Sequence, residues 1–233
     1  MNLIAALIFI AFSLPGSVDA NSINSELQIR FERHHSPGAL VVWVKDGQVV
    51  TNSGFGYANL DEQRPVDPAR TLVRVGSISK PFTGIGILNS IEAGELDLRT
   101  DINTWFDPDT DALKDLLTGY FENGGQLEPL GYNYILDAPA GQLVTTGDDM
   151  ARFMLLMLEP GGLQNAGVLS AGMTQRMIQS RFTHHPELNG AYGYLWSISE
   201  YGGHQVIGHS GGYLGVAARL LFSRSIMPPS SWQ

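Results

Sequence analysis

Val75-Gly76-Ser77-Ile78-Ser79-Lys80-Pro81-Phe82-Thr83 is the stretch on which the reading of this chain turns. It follows a short apolar run, Leu72 to Val75, that reads as a strand. Beyond it, apolar residues at Ile78, Phe82, Ile85, Leu88 and Ile91 keep the period of a helix as far as Ala93, with Gly94 as the stop. Pro81 falls in or just after the first turn, where its missing N–H costs least. Ser77 therefore occupies the N-terminal turn, and Lys80, three residues on, stands beside it on one face. The free N–H groups and dipole at that end favour a developing negative charge. A neutral amine next to a serine hydroxyl is a general base, which makes Ser77 an activated nucleophile. The plainer alternative leaves Ser77 as an N-cap and Lys80 as a solvated first-turn residue. A cation has the wrong sign for a first turn, which tells against it. S-x-x-K alone is a weak signature and depends on this context.

Working outward, Ile23 to Arg33 has helical spacing, and Ala39 to Val44 is an apolar, largely β-branched run. Asp46-Gly47 is a type I′ hairpin signal, with Val49 to Tyr57 as the returning strand and a loop over Asp61 to Arg70. Downstream, Leu113 to Leu117 reads as a short helix, and Asp107 to Ala138 is otherwise irregular. Thr146-Gly147-Asp148-Asp149 resembles a capping box. It opens a helix with Met150, Phe153, Met154, Met157 and Leu158 on one face, broken at Pro160-Gly161-Gly162. That methionine stripe is core material. Tyr192 to Ile198, His204 to Ile207 and Leu214 to Phe222 read as closing antiparallel strands. No internal repeat or linker divides the chain.

Composition narrows the function classes. The 233 residues carry a formal charge of −9, and the 14 Lys and Arg residues are scattered singly, which excludes a phosphate-backbone binding surface. With no cysteine, disulfides, thiolate-held zinc, iron–sulfur clusters and cysteine nucleophiles are excluded. His34-His35, His184-His185, His204 and His209 show no H-E-x-x-H or facial-triad spacing, so no metal and no cofactor is expected. Leu3 to Leu14 is nearly unbroken apolar sequence, followed by Pro15-Gly16 and small residues at Val18 and Ala20. This predicts a signal peptide over 1–20 cleaved after Ala20, a periplasmic or secreted protein, and a single domain over 21–233. The run is too short to span a bilayer as a helix, and no cysteine is present to carry a lipid, so no stable membrane anchor is expected.

Gly208-His209-Ser210-Gly211-Gly212 matches the G-x-S-x-G nucleophile elbow and offers Ser210 as a rival nucleophile on an α/β-hydrolase fold. That fold requires an acid and then a histidine after the serine, and none follows Ser210. A glycine-rich strand pressed close to a ligand or another backbone fits better.

Several of these motifs together resemble a family. Val75 to Thr83 followed by Glu92-Ala93-Gly94-Glu95-Leu96-Asp97-Leu98 is similar to the nucleophile region of class C-type serine β-lactamases and their relatives, penicillin-binding DD-peptidases and β-lactamase-fold esterases. Gly54-Phe55-Gly56-Tyr57-Ala58, Ala138-Pro139-Ala140-Gly141 and Asp149-Met150-Ala151-Arg152-Phe153 follow the same pattern, and His209-Ser210-Gly211-Gly212 corresponds to its K-T-G or H-x-G strand.

The resemblance implies an α/β fold of the α+β type: an antiparallel sheet flanked by helices, with a helical subdomain. It implies acyl transfer through a serine ester on an ester, β-lactam or D-alanyl peptide substrate. Ser77 would attack, Lys80 would take the proton, the N–H groups of Ser77 and Gly212 would form the oxyanion hole, and His209, Ser210 and Gly211 would bind substrate. H-x-G in place of K-T-G leans towards esters.

The chain departs from the pattern at two points. No Tyr-x-Asn or Ser-x-Asn lies between the nucleophile helix and Ala138, where the helical subdomain is largely missing. Tyr120, Tyr132 and Tyr134 are the candidate substitutes. A further strand and helix expected after Phe222 have no counterpart, so Leu214 to Phe222 is expected to form an open sheet edge prone to self-association. The expectation is a weak serine hydrolase. The alternative is a non-catalytic remnant or ligand-binding domain of the same fold.

Overall fold

A computed structural model describes residues 5–11, 20–33, 36–96, 117–130, 138–159, 161–179, 182–183, 185, 190–201 and 204–223. In chain order they form β1 (Ala5–Ala11), α1 (Ala20–Arg33), β2 (Gly38–Lys45), β3 (Gln48–Asn59), β4 (Arg64–Pro65) and β5 (Val73–Arg74). A single 3₁₀ turn over Gly76–Ile78 leads into α2 (Ser79–Glu92). Then come β6 (Gly119–Asn123), β7 (Gln126–Leu130), α3 (Ala138–Gly141), β8 (Val144–Thr145), α4 (Gly147–Leu158), α5 (Gly162–Asn165) and α6 (Ala171–Ile178). β9 (Ala191–Tyr192), β10 (Ser197–Tyr201), β11 (His204–Tyr213) and β12 (Val216–Ser223) close the chain.

Eight strands make one sheet in the order β4-β3-β2-β1-β12-β11-β10-β9. Every pairing is antiparallel except those of β1, which runs parallel to β2 and to β12. The apolar N-terminal run therefore stands as a strand here, with 1–4 and 12–19 outside the described residues. The open edge expected along Leu214 to Phe222 is corrected: Leu214 belongs to a turn, and β12 is flanked by β11 on one side and β1 on the other.

β2 reads as continuous apolar sequence because both its faces are covered. Ala39 and Val41 pack with Phe55 beneath Leu27 and Phe31 of α1. Leu40, Val42 and Val44 turn to the main core, which they share with Ile85 and Leu88 of α2 and with Met150, Met154, Met157 and Leu158 of α4. The methionine stripe is core, as the periodicity predicts. Thr146 caps α4 by accepting a hydrogen bond from the Asp149 N–H.

Asp46 and Gly47, at φ 51° and 72°, make the two-residue turn their sequence predicts. A second turn of this kind falls in the stretch read as irregular: Gly124 and Gly125, at φ 60° and 86°, join β6 to β7. Gly-Gly between short runs was the available signal, obscured by Pro129 and the polar flanks. The glycine-rich strand also extends further than expected. His204 to Tyr213 is continuous, and only Leu214-Gly215 forms the turn into β12. The helix read at Leu113 to Leu117 lies outside the described residues apart from Leu117, which is buried.

Candidate active site

Ser77 is positioned by its neighbours. Val73, Val75 and Ile78 are fully buried and pin the strand-to-helix connection to the core. Gly76 turns the chain at φ +54°, and a Cβ there would stand 2.8 Å from the Gly212 nitrogen. Ser79 stitches the turn to its surroundings, donating to the Gly76 carbonyl at 2.7 Å and accepting from the Leu143 N–H at 2.9 Å. The turn therefore has little freedom to move Ser77.

The Ser77 hydroxyl is not a cap. Val75 and Ile78 occupy the N-cap positions of the 3₁₀ turn and of α2, and neither makes a side-chain cap bond. Instead Lys80 Nζ donates to Ser77 Oγ at 2.7 Å and to the Ala140 carbonyl at 3.2 Å. One turn on, Thr83 Oγ1 donates to the Pro139 carbonyl at 2.6 Å. Lys80 and Thr83 thus hold α3 against α2. Nothing in the sequence alone marked Thr83 for this role.

β11 supplies the facing wall. Gly211 lies against the 3₁₀ turn so closely that a Cβ would meet the Val75 carbonyl oxygen at 1.9 Å. Ser210 sits in mid-strand opposite Arg219, and the strand runs on to Tyr213 and a hairpin rather than into a helix, which removes the elbow reading of Ser210. β10 pairs with β11 only from His204 to Gly208, so among the described residues the edge from His209 to Gly212 has no strand partner on that side. The hairpin closes on the Tyr213–Val216 pair, so alternation along the ladder turns the N–H and C=O groups of Gly212 and Ser210 towards that open edge. Gly212 has open space beside its Cα. By the pleat, His209 and Gly211 share the face towards the 3₁₀ turn, while the exposed Ser210 side chain lies on the other.

His209 is half-buried, and its Nδ1–H donates to the Ser210 carbonyl at 2.8 Å. Desolvation lowers its pKa below the ordinary histidine value, and the nearby Lys80 charge pushes the same way. The Ser210 carbonyl opposes both.

Of the three candidate substitute tyrosines only Tyr120 is among the described residues, and it does not fill the gap in the motif pattern. Tyr120 is almost wholly buried, and its hydroxyl accepts the Leu60 N–H at 2.8 Å. Tyr132 and Tyr134 lie outside the described residues. Tyr213 is covered by the Arg74 guanidinium, 4.6 Å from its ring centre. Among the described residues there is no group of three or more side chains able to hold a metal ion.

A strand-to-helix serine, a lysine one turn later and a glycine-rich strand edge opposite are brought together as in the motif pattern of serine β-lactamases and penicillin-binding proteins. The β-lactamase family model matches residues 23–119 and 103–223, and the chain belongs to that family.

"Protein flp" of Staphylococcus aureus (strain MRSA252) is 33% identical over 81 residues, 35% of this chain and 16% of that protein. "Serine beta-lactamase-like protein LACTB, mitochondrial" of Bos taurus is 41% identical over 63 residues, 27% of this chain and 11% of that protein. The chain thus matches only a small part of these relatives' length. Among solved structures, the octameric penicillin-binding protein homologue from Pyrococcus abyssi superposes with a TM-score of 0.68 at 18% identity, over 91% of this chain and 75% of that one. A penicillin-binding protein from Bacillus halodurans gives 0.57 at 15% identity, over 75% and 84%. These likenesses establish the fold, an α/β architecture with a largely antiparallel sheet and flanking helices.

Proposed function

We propose that this member of the β-lactamase family is a serine hydrolase working through an acyl-enzyme on Ser77, on esters first and on β-lactams or D-alanyl peptides poorly. The observation that carries the reading is the 2.7 Å contact of Lys80 Nζ with a Ser77 hydroxyl that caps nothing. Lys80 takes the Ser77 proton as Oγ bonds to the substrate carbonyl carbon. The oxyanion is received by the N–H groups of Ser77 and Gly212, each such donor typically worth about 3 kcal/mol. His209, Ser210 and Gly211 form the substrate-facing edge, where an extended substrate adds to the unpaired strand. The leader-like N-terminus supports a periplasmic or secreted location.

The second reading is a ligand-binding domain of the same fold without turnover, favoured by the tethering of Tyr120 to Leu60. Labelling with a fluorophosphonate probe separates the two. The serine-hydrolase reading expects one adduct, mapped by mass spectrometry to Ser77 and abolished by Ser77→Ala but not by Ser210→Ala. No adduct, or an adduct on Ser210, refutes it.

A further inference from the structure

We propose that His209 is the residue that takes the proton from water during deacylation, its Nδ1–H held by the Ser210 carbonyl and its Nε2 left as the basic atom. The inference rests on the Ser77 reading above and extends it to the second half of the reaction.

After a leaving group departs as an anion, the group that activated the serine is still protonated, and hydrolysis of the acyl-enzyme then needs another base. Lys80 holds the Ser77 proton after acylation and is engaged with Ser77 Oγ and the Ala140 carbonyl. Tyr120 is tied to Leu60 and Tyr213 lies beneath Arg74. His209 stands on the β11 face turned to the 3₁₀ turn that carries Ser77, beside the unpaired strand edge, and its titration feels the Lys80 charge. A carbonyl oxygen only accepts, so the 2.8 Å contact with Ser210 places the proton on Nδ1 and the lone pair of the neutral ring on Nε2. Burial and Lys80 both favour that neutral form.

The step balances. A water O–H gives its proton to His209 Nε2 as the oxygen bonds to the acyl carbon and the carbonyl electron pair moves onto the oxyanion. The pair then re-forms the C=O, the bond from carbon to Ser77 Oγ breaks, and Oγ takes the proton that Lys80 acquired in acylation. The carboxylic acid leaves, and His209 sheds its extra proton to solvent, which its lowered pKa assists. Lys80 of α2 is the charged group that acts on His209, the 3₁₀ turn packed on β11 carries Ser77 and no ionisable side chain, and the β12 partner of His209 is Leu220.

The test is pre-steady-state hydrolysis of p-nitrophenyl butyrate by wild type, His209→Gln and His209→Asn. The Asn side chain keeps a donor for Ser210 but has no base. Expected are retained fluorophosphonate labelling of Ser77, a stoichiometric burst of p-nitrophenolate, and a steady-state rate reduced about 10²–10⁴-fold in both variants. The acid limb of the wild-type kcat–pH profile, below pH 6.5, should vanish, and added imidazole should restore turnover. A variant that labels normally and turns over at the wild-type rate, or keeps the acid limb, overturns the role of His209 alone. Loss of the burst in both variants moves His209 to acylation and also overturns it. Wild type that fails to label refutes the serine reading on which the proposal stands.

Discussion

Gly211 lies flush against Val75: a Cβ on the glycine would sit 1.9 Å from the Val75 carbonyl oxygen, with the Ile78 nitrogen at 3.3 Å. The wall of the site and the turn that carries the nucleophile are in contact backbone to backbone, and no side chain can relax to admit a methyl group. Gly211→Ala should therefore lower stability by about 1–3 kcal/mol or more and displace β11 from the turn. Thermal melting checks the first effect and the rate of fluorophosphonate labelling at Ser77 the second. A variant with wild-type Tm and wild-type labelling rate would show that the two backbones are not in contact in solution.

Substrate choice should follow leaving-group chemistry. A neutral His209 takes a proton from water but has none on Nε2 to give to a departing amine. p-Nitrophenyl butyrate, whose leaving group departs as an anion, should turn over with Ser77 dependence. Nitrocefin should be slower by about 10²–10⁴, the usual contribution of a general acid. Rapid nitrocefin hydrolysis that depends on Ser77 would mean that another proton donor serves the site.

Ser79 bonds on both sides, to the Gly76 carbonyl and the Leu143 N–H, and is buried. Ser79→Ala removes the hydroxyl that accepts the Leu143 N–H, while the Gly76 carbonyl keeps the Ser79 N–H, a loss of about 1–3 kcal/mol. For a chain of this size that is a Tm lower by about 2–10 °C. Differential scanning calorimetry reads this directly, and an unchanged Tm would count against the stitch.

Stability should carry a histidine signature. His209 is lowered in the fold, so the unfolded chain binds the extra proton first as pH falls. Its contribution is present above the unfolded value of about 6.5 and is lost as pH drops from there towards the folded pKa. Urea unfolding between pH 7.5 and 4.5 should show a wild-type stability that falls more steeply than that of His209→Asn in this window. Parallel curves would remove the effect.

The fate of the N-terminus is open to a single measurement. The leader reading expects, on expression in a bacterium with an exporting envelope, a mature chain beginning at Asn21. Intact mass of the purified protein decides it, and a retained Met1–Ala20 segment would exclude cleavage.

Much of this geometry was legible in residue spacing. The interval from Ser77 to Lys80, the Asp46-Gly47 turn, the Thr146 cap and the apolar stripe of α4 depend on contacts within a few residues, which sequence records directly. The glycines of β11 were readable as a strand pressed on a neighbour, but not the neighbour's identity, because Val75 is over a hundred positions away. The bond from Tyr120 to Leu60 and the grip of Thr83 on Pro139 are tertiary in the same sense. The β6–β7 turn is the instructive miss. Its Gly-Gly signal was local, but polar flanks gave no alternation to support it. β1 shows an ambiguity of another kind, since an apolar run suits a leader and a central strand equally well.

The place of β1 carries a consequence for when the chain folds. Residues 5–11 are paired along both edges, to β2 and to β12, and join the two halves of the sheet. A segment held that way cannot also be threaded, extended, into a translocation pore. On the proposed leader reading, folding and secretion compete for the same seven residues. On that reading, a copy that folds before it is captured keeps its leader paired inside its own sheet. A copy captured first and cleaved after Ala20 arrives without the strand that bridges β2 and β12, and must close those two edges by a route its precursor never used.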